Sequence, residues 1–121
     1  MDCIFCKIAN GEINALTIYE DEIVSVFLDS HPDANGHILI VPKQHFLDLR
    51  DIDEVTLSYI MSIAKKMWSF LEDKLSIDGV TLIQNNGDVQ HVKHYHLHLK
   101  PYYDPKQAIL DPNEVYKTLK K

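Results

Sequence analysis

Residues 94–98 read His94-Tyr95-His96-Leu97-His98, with imidazoles at alternate positions and an aromatic and an apolar side chain between them. In an extended strand successive side chains point to opposite faces, so the three histidines share one face. Neighbours in that row stand roughly 6.5–7 Å apart along the strand. Tyr95, Leu97 and Leu99 point the other way, toward a core. Imidazole ordinarily titrates close to neutrality, so the row concentrates nucleophilic, proton-transfer and metal-ligating capacity. Two chemistries follow. A neutral imidazole can attack phosphorus or carbonyl carbon while its neighbours bind the oxyanion or move protons. Alternatively, His-x-His on a strand turns two nitrogens toward one metal ion. The reading without function is a histidine-rich surface strand or core histidines bonded to backbone, and strict alternation with apolar partners argues against it.

Cys3 and Cys6 are the chain's two cysteines, spaced C-x-x-C. That spacing supplies half a tetrahedral zinc shell, and two histidines must complete it; His45 and His94 are candidates for a Cys2His2 site. A redox pair and two small buried thiols are the competing readings. His37 follows Asn35-Gly36 and opens a strand. Asp29 ends a strand, and Asn85 precedes a turn glycine, where both residue types also occur for conformational reasons alone. His31 and His91 lie in or beside turns.

The elements that must position these groups follow from periodicity. Leu16 to Tyr19 and Ile23 to Leu28 read as a hairpin around Glu20-Asp21-Glu22. Asp29 to Gly36 is a loop, and His37 to Val41 a third strand that Pro42 ends. Val55, Tyr59, Ile63, Met67 and Leu71, with Ile60 and Phe70, predict one long helix, capped by Asp51 with Glu54. Its charges Lys65, Lys66, Glu72 and Asp73 fall on the outer side, while Met61 and Trp68 are expected to pack. Val80 to Gln84 is a strand, Asn85-Asn86-Gly87-Asp88 a turn, and the histidine strand runs to Pro101. Asp111 and Pro112 open a short terminal helix. The fold class is α+β: about five antiparallel strands, one long helix and one short one.

The 121 residues are expected to form a single domain. Apolar content of 45% and charged content of 25% are those of an ordinary globular protein. The longest apolar run is Ile38 to Val41, too short for a membrane span. Met1-Asp2-Cys3 shows neither a basic nor an apolar leader, so a cytoplasmic location is expected, with no membrane partner. A net charge of −6 argues against a nucleic-acid partner but leaves room for a small phosphate ligand.

Together these residues resemble the histidine triad (HIT) superfamily, in its zinc-containing, Hint-like bacterial branch. His94-Tyr95-His96-Leu97-His98-Leu99 matches the family's alternating histidine pattern. Cys3 to Ile13 is similar to the opening of the zinc-containing members, and Gly36-His37-Ile38-Leu39-Ile40-Val41-Pro42-Lys43-Gln44-His45 to their third strand. Asp29 and Asn85-Asn86-Gly87 fall at the expected stages. The similarity covers residues 2–101, with 102–121 as a variable tail of a single HIT domain, 1–121. It implies a HIT fold with a five-stranded antiparallel sheet and two helices, assembled as a homodimer.

The resemblance also implies roles. His96 would attack the α-phosphorus of a nucleoside phosphoramidate, forming a nucleotidyl-histidine that water hydrolyses to a monophosphate. His98 and His37 would bind phosphate oxygens or orient the nucleophile. Asp29 would hold the ribose hydroxyls, and Asn85 and Gln90 would contact the sugar-phosphate. The expected ligand is a purine nucleotide, an AMP or GMP derivative. Cys3, Cys6, His45 and His94 would hold a structural zinc ion, with no open position for a catalytic water. The sequence departs from the pattern at Val89, at His91 and at Leu99-Lys100-Pro101-Tyr102. His91, an imidazole beside a turn, is a candidate to protonate the departing amine. Alternatives at this point are a dinucleoside polyphosphate hydrolase using the same His96, a nucleotide-binding scaffold with incidental hydrolysis, and a hydrolase with the triad as metal ligands.

Overall fold

Two strands buried on both faces form the middle of the molecule: β2 (Val24–Leu28) and β3 (Ile38–Pro42). Their near-continuous apolar sequence follows from that double burial, since an antiparallel strand open to water on one face alternates instead. The computed structural model describes residues 3–121. Met1 and Asp2, part of the reading of a leaderless start, lie outside the described residues.

Around β2 and β3 run β1 (Thr17–Glu20), β4 (Gly79–Ile83) and β5 (Leu97–Tyr102), in the spatial order β1-β2-β3-β5-β4, with every pairing antiparallel. The expected five-stranded antiparallel sheet is therefore present. Pro42 does not stop β3 short; it is the last paired residue, opposite Val24.

The long helix α2 (Glu54–Lys74) covers one face of the sheet. Ile60, Ile63, Ala64, Met67 and Leu71 form its buried stripe, and they meet Val24, Val26, Ile38, Ile40, Leu97 and Leu99 in the main core. Each large aliphatic side chain buried there contributes about 2 kcal/mol. Two expectations about α2 are corrected. Its cap is Asp53, whose carboxylate accepts the Thr56 N–H at 3.0 Å, whereas Asp51 accepts the Leu47 N–H in the preceding turn. Val55, at 80% exposure, stands outside the core stripe, and Met61 and Trp68 are also exposed.

A second helix, α3 (Pro112–Leu119), begins where expected, with Asp111 as its cap and Pro112 in its first turn. Its Val115 and Leu119 join the main core. The sequence reading missed a third, α1 (Ile4–Ala9), a single short turn-and-a-half capped by the Cys3 side chain. It lies over the opposite face of the sheet, where Cys3, Phe5, Phe27, Leu39 and Val41 make a smaller core. No helix among the described residues is long and apolar enough to cross a membrane.

Candidate active site and metal centre

Alternation at the end of the chain's histidine run holds in the structure, although regular strand begins only at Leu97. Tyr95, Leu97 and Leu99 enter the main core. His94, His96 and His98 therefore face the α1 side, where the His96 and His98 rings stand 5.0 Å apart. Phe5 of α1 packs edge-on against both His94 and His96, at 6.0 and 4.9 Å.

His96 is held in one tautomer. Its Nδ1 donates to the His94 carbonyl at 2.7 Å; a carbonyl only accepts, so the proton sits on Nδ1 and Nε2 keeps its lone pair. Burial lowers the pKa of His96, against the carbonyl contact that raises it. The ring is thus neutral at pH 7, a competent nucleophile without a separate base.

The other two imidazoles form a relay. The loop between β2 and β3 returns on itself so that the Asp33 N–H donates to His37 Nδ1 at 3.1 Å. The His37 proton is then on Nε2, which donates to His98 Nδ1 at 2.9 Å. That in turn places the His98 proton on its own Nε2. Asp29 Oδ2 stands 3.5 Å from His37 Nε2 and 4.0 Å from His98 Nδ1. Burial lowers His37, opposed by the Asp29 charge, and pushes His98 down to about 4, with His96 and His37 adding to the effect. Gly36 makes the turn into His37 possible. Its φ of +89° is a left-handed conformation, and an added Cβ would stand 2.7 Å from Leu75 Cδ1.

These groups open onto a cleft of about 780 Å3. Its lining combines apolar Phe5, Ile8, Ile13, Leu16 and Phe27 with polar Asp29, His37, His96, His98 and Lys100. Asn85, His31 and His91 also line it. A mostly apolar lining with a few convergent hydrogen-bonding groups is the form of a small-molecule site. Gln90 is not brought there. It is buried, and its Nε2 donates to the Leu47 carbonyl at 2.7 Å, so its amide braces a neighbouring loop.

Beneath the row lies the second constellation. Donor atoms of Cys3, Cys6, His45 and His94 all fall within 4.8 Å of one another. His94 Nδ1 is 3.3 Å from Cys3 Sγ and 3.5 Å from Cys6 Sγ, and His45 Nδ1 is 3.2 Å from Cys6 Sγ. Bond lengths of tetrahedral zinc give sulfur–nitrogen edges of about 3.6 Å, close to this spacing. The donor chemistry fits as well. His94 Nε2 donates to the Pro42 carbonyl at 2.8 Å, leaving an Nδ1 lone pair toward the thiols. Burial pushes His94 down to about 4 and Cys6 up to about 11. The imidazole is therefore ready as a neutral ligand, and the thiolate forms when a cation is there to pair it.

Asp29, His37 and His98 also stand within ligand distance of one another, but a metal fits them poorly. Ligation through His37 Nε2 would move its proton to Nδ1, where it would oppose the Asp33 N–H. This trio is a hydrogen-bonded relay.

A HIT-domain family model matches residues 10–104. The chain belongs to the HIT family. An uncharacterized HIT-like protein of Methanocaldococcus jannaschii is 42% identical over 115 residues, covering 93% of this chain and 88% of that protein. The adenosine 5'-monophosphoramidase of Saccharomyces cerevisiae is 40% identical over 110 residues, 89% of this chain and 67% of that enzyme. The crystal structure of a zinc-bound histidine triad family protein from Mycobacterium smegmatis superimposes with a TM-score of 0.91 at 32% identity, covering 98% of this chain and 91% of that one.

Within this HIT fold, sequence reasoning overlooked three contributors to the site. Phe5 was hidden by the unrecognised α1. Lys100 continues the alternation of the histidine row, two residues beyond His98, and pairs with Asp33 at 2.6 Å. Asn35, read only as a turn residue, is buried.

Proposed function

We propose that this chain is a nucleoside phosphoramidase working through a nucleotidyl-histidine intermediate on His96. The observation that carries the reading is the His96 Nδ1–H donated to the His94 carbonyl, which leaves Nε2 as the free nucleophilic atom on a ring lining the cleft. The base packs against Phe5, Ile8, Ile13 and Phe27 of the cleft lining, apolar and aromatic surface suited to a purine. Asp29 accepts hydrogen bonds from the ribose hydroxyls, and Asn85 contacts the sugar-phosphate.

His96 Nε2 attacks the α-phosphorus, the phosphorus–nitrogen bond breaks, and its electron pair leaves with the amine. His98 offers its Nε2–H to a phosphate oxygen, with His37 fixing that tautomer from behind. His91, exposed on the cleft wall, supplies the proton that the departing amine takes up. As His96 becomes cationic its Nδ1–H bond to the His94 carbonyl strengthens, stabilising the intermediate. Water then attacks phosphorus and gives its proton back to His91, the phosphorus–histidine bond breaks with its electron pair returning to His96 Nε2, and a nucleoside monophosphate is released.

Cys3, Cys6, His45 and His94 hold zinc in this reading. With four protein ligands it is a structural cross-link, joining α1 to the start of the histidine run. Use of the two cysteines as metal ligands in place of a disulfide suits a reducing, cytoplasmic setting. The chain acts as one HIT unit, supported by the packing of α3 into the main core, and as a homodimer, supported by the exposed Met61 and Trp68 of α2 and Leu82 of the edge strand β4.

Adenosine 5'-phosphoramidate is the test substrate. The reading requires AMP and ammonia as products, a loss of at least about 1,000-fold in kcat for His96→Asn, and a slower bond-breaking step for His91→Gln. Tight AMP binding without turnover would reject the enzyme in favour of a binding protein.

A further inference from the structure

The loop from Asp29 to His37 carries the relay, yet it contains no regular secondary structure. Inside it, Asp29 N–H donates to the His37 carbonyl at 2.9 Å and His37 N–H to the Ala34 carbonyl at 3.1 Å. These bonds shape the loop without tying its tip to the rest of the molecule. Lys100 reaches it at Asp33, but that carboxylate is 65% exposed, and an exposed ion pair holds weakly.

The firmer hold comes from the chain's last segment. Asn35 is 6% exposed. Its Nδ2 donates to the Ala108 carbonyl at 3.0 Å, and its Oδ1 accepts the Leu110 N–H at 2.8 Å. Its own carbonyl accepts from the Tyr103 hydroxyl at 2.6 Å. One side-chain amide thus pairs with backbone on both sides, as a strand neighbour would. Beyond the Asp104 N–H donated to Asp78 Oδ2 at 2.9 Å, the tail segment it grips is exposed throughout residues 104–110, Ile109 at 49% and Leu110 at 55%.

We propose that Asn35 is a positioning residue that latches the C-terminal segment to the relay loop and so keeps the Asp33 N–H on His37 Nδ1. The chemistry follows from hydrogen-bond direction. While Asp33 donates to Nδ1, the His37 proton stays on Nε2 and His98 presents its Nε2–H to the cleft. When the loop slackens, His37 populates both tautomers, and in one of them its Nε2 lone pair faces the His98 Nδ1 lone pair. The His98 proton then shifts to the wrong nitrogen, and the cleft loses a donor. The proposal rests on the phosphoramidase reading only for its kinetic consequence; the tautomer is independent of any substrate.

Asn35→Ala removes the latch from the loop side. Leu110→Pro weakens it from the tail side by deleting the N–H that Asn35 Oδ1 accepts, at an exposed position outside regular structure, and leaves the Ala108 bond. The His37 tautomer is read from long-range proton–nitrogen correlations of the imidazole, in variants shown to be folded. In the parent protein His37 gives distinct nitrogen signals with the proton on Nε2. Both variants should move those signals toward an average of the two tautomers. With adenosine 5'-phosphoramidate, kcat should fall about tenfold while KM stays within about threefold. The double variant should be no worse than Asn35→Ala alone, because Asn35→Ala already removes the Leu110 bond together with that to Ala108. An unchanged His37 spectrum in folded Leu110→Pro protein overturns the proposal, as do additive losses in the double variant. If Asn35→Ala does not fold, Leu110→Pro alone decides. A chain that hydrolyses no phosphoramidate yet shows the tautomer shift would retain the latch and lose the phosphoramidase reading.

Discussion

Replacing His98 with asparagine should flatten the acid limb of the protein's stability curve. His98 is held at about 4 in the folded chain, against an ordinary 6.5, chiefly by burial. As pH falls below 6.5 the unfolded chain therefore takes up a proton that the folded chain refuses, so stability drops between pH 6.5 and pH 4 and is regained as pH rises. Integrated from pH 8 to pH 5, that single group costs about 2 kcal/mol, growing to about 3 kcal/mol at pH 4. Asparagine does not titrate, and its Oδ1 falls near the position of His98 Nδ1, where it still accepts the His37 Nε2–H. Urea denaturation of parent and His98→Asn proteins at both pH values measures the effect. The parent should lose about 2 kcal/mol more than the variant on going from pH 8 to pH 5. Acid loss of metal acts on both proteins, so the difference reports His98 together with its coupling to His96 and His37. Equal losses would refute the reasoning, because His98 would then titrate alike in folded and unfolded chains.

Chelation should lower the melting temperature of zinc-loaded protein, and Cys6→Ser should remove most of that response; a free zinc concentration a thousandfold above Kd corresponds to about 4 kcal/mol of stabilisation. Calorimetry with and without chelator checks this, and a chelator-insensitive transition counts against the metal centre. Tyr59→Phe should cost about 1 kcal/mol, read by urea denaturation. Its hydroxyl and that of Tyr19 donate to Asp21 Oδ2, tying the β1–β2 turn to α2. Burial raises the Asp21 carboxyl, but the Tyr59 and Tyr19 hydroxyls and the Val24 and Ile23 N–H groups hold it down at about 2. Gly36→Ala should destabilise by about 2 kcal/mol, since it meets both a left-handed φ and the Leu75 side chain; retention of full stability would show that the turn into His37 can relax.

The sheet was legible because its strands carry simple patterns. Near-continuous apolar runs mark β2 and β3, and alternation marks β5. Helix α3 was legible from Asp111-Pro112. The start of α2 was misplaced because Asp51 and Asp53 are chemically equivalent in sequence. Only the structure shows Asp51 spent on the Leu47 N–H and Asp53 on that of Thr56. Helix α1 was missed because six residues carry too little periodicity to register, and its position depends on Phe5 packing against Phe27, His94 and His96. The resemblance named His94, His96, His98, His37 and Asp29, and the structure gathers them. What no pattern could supply is hydrogen-bond direction: the His94 carbonyl on His96, the Asp33 N–H on His37, and the amide of Asn35 facing backbone more than seventy residues away.

Intact-mass spectrometry after rapid mixing with adenosine 5'-phosphoramidate tests the central claim most directly. The account predicts an acid-labile adduct of one adenylyl group on the parent protein, mapping to His96 and absent from His96→Ala. Turnover to AMP with no adduct at any mixing time, or an adduct that persists in His96→Ala, would contradict it.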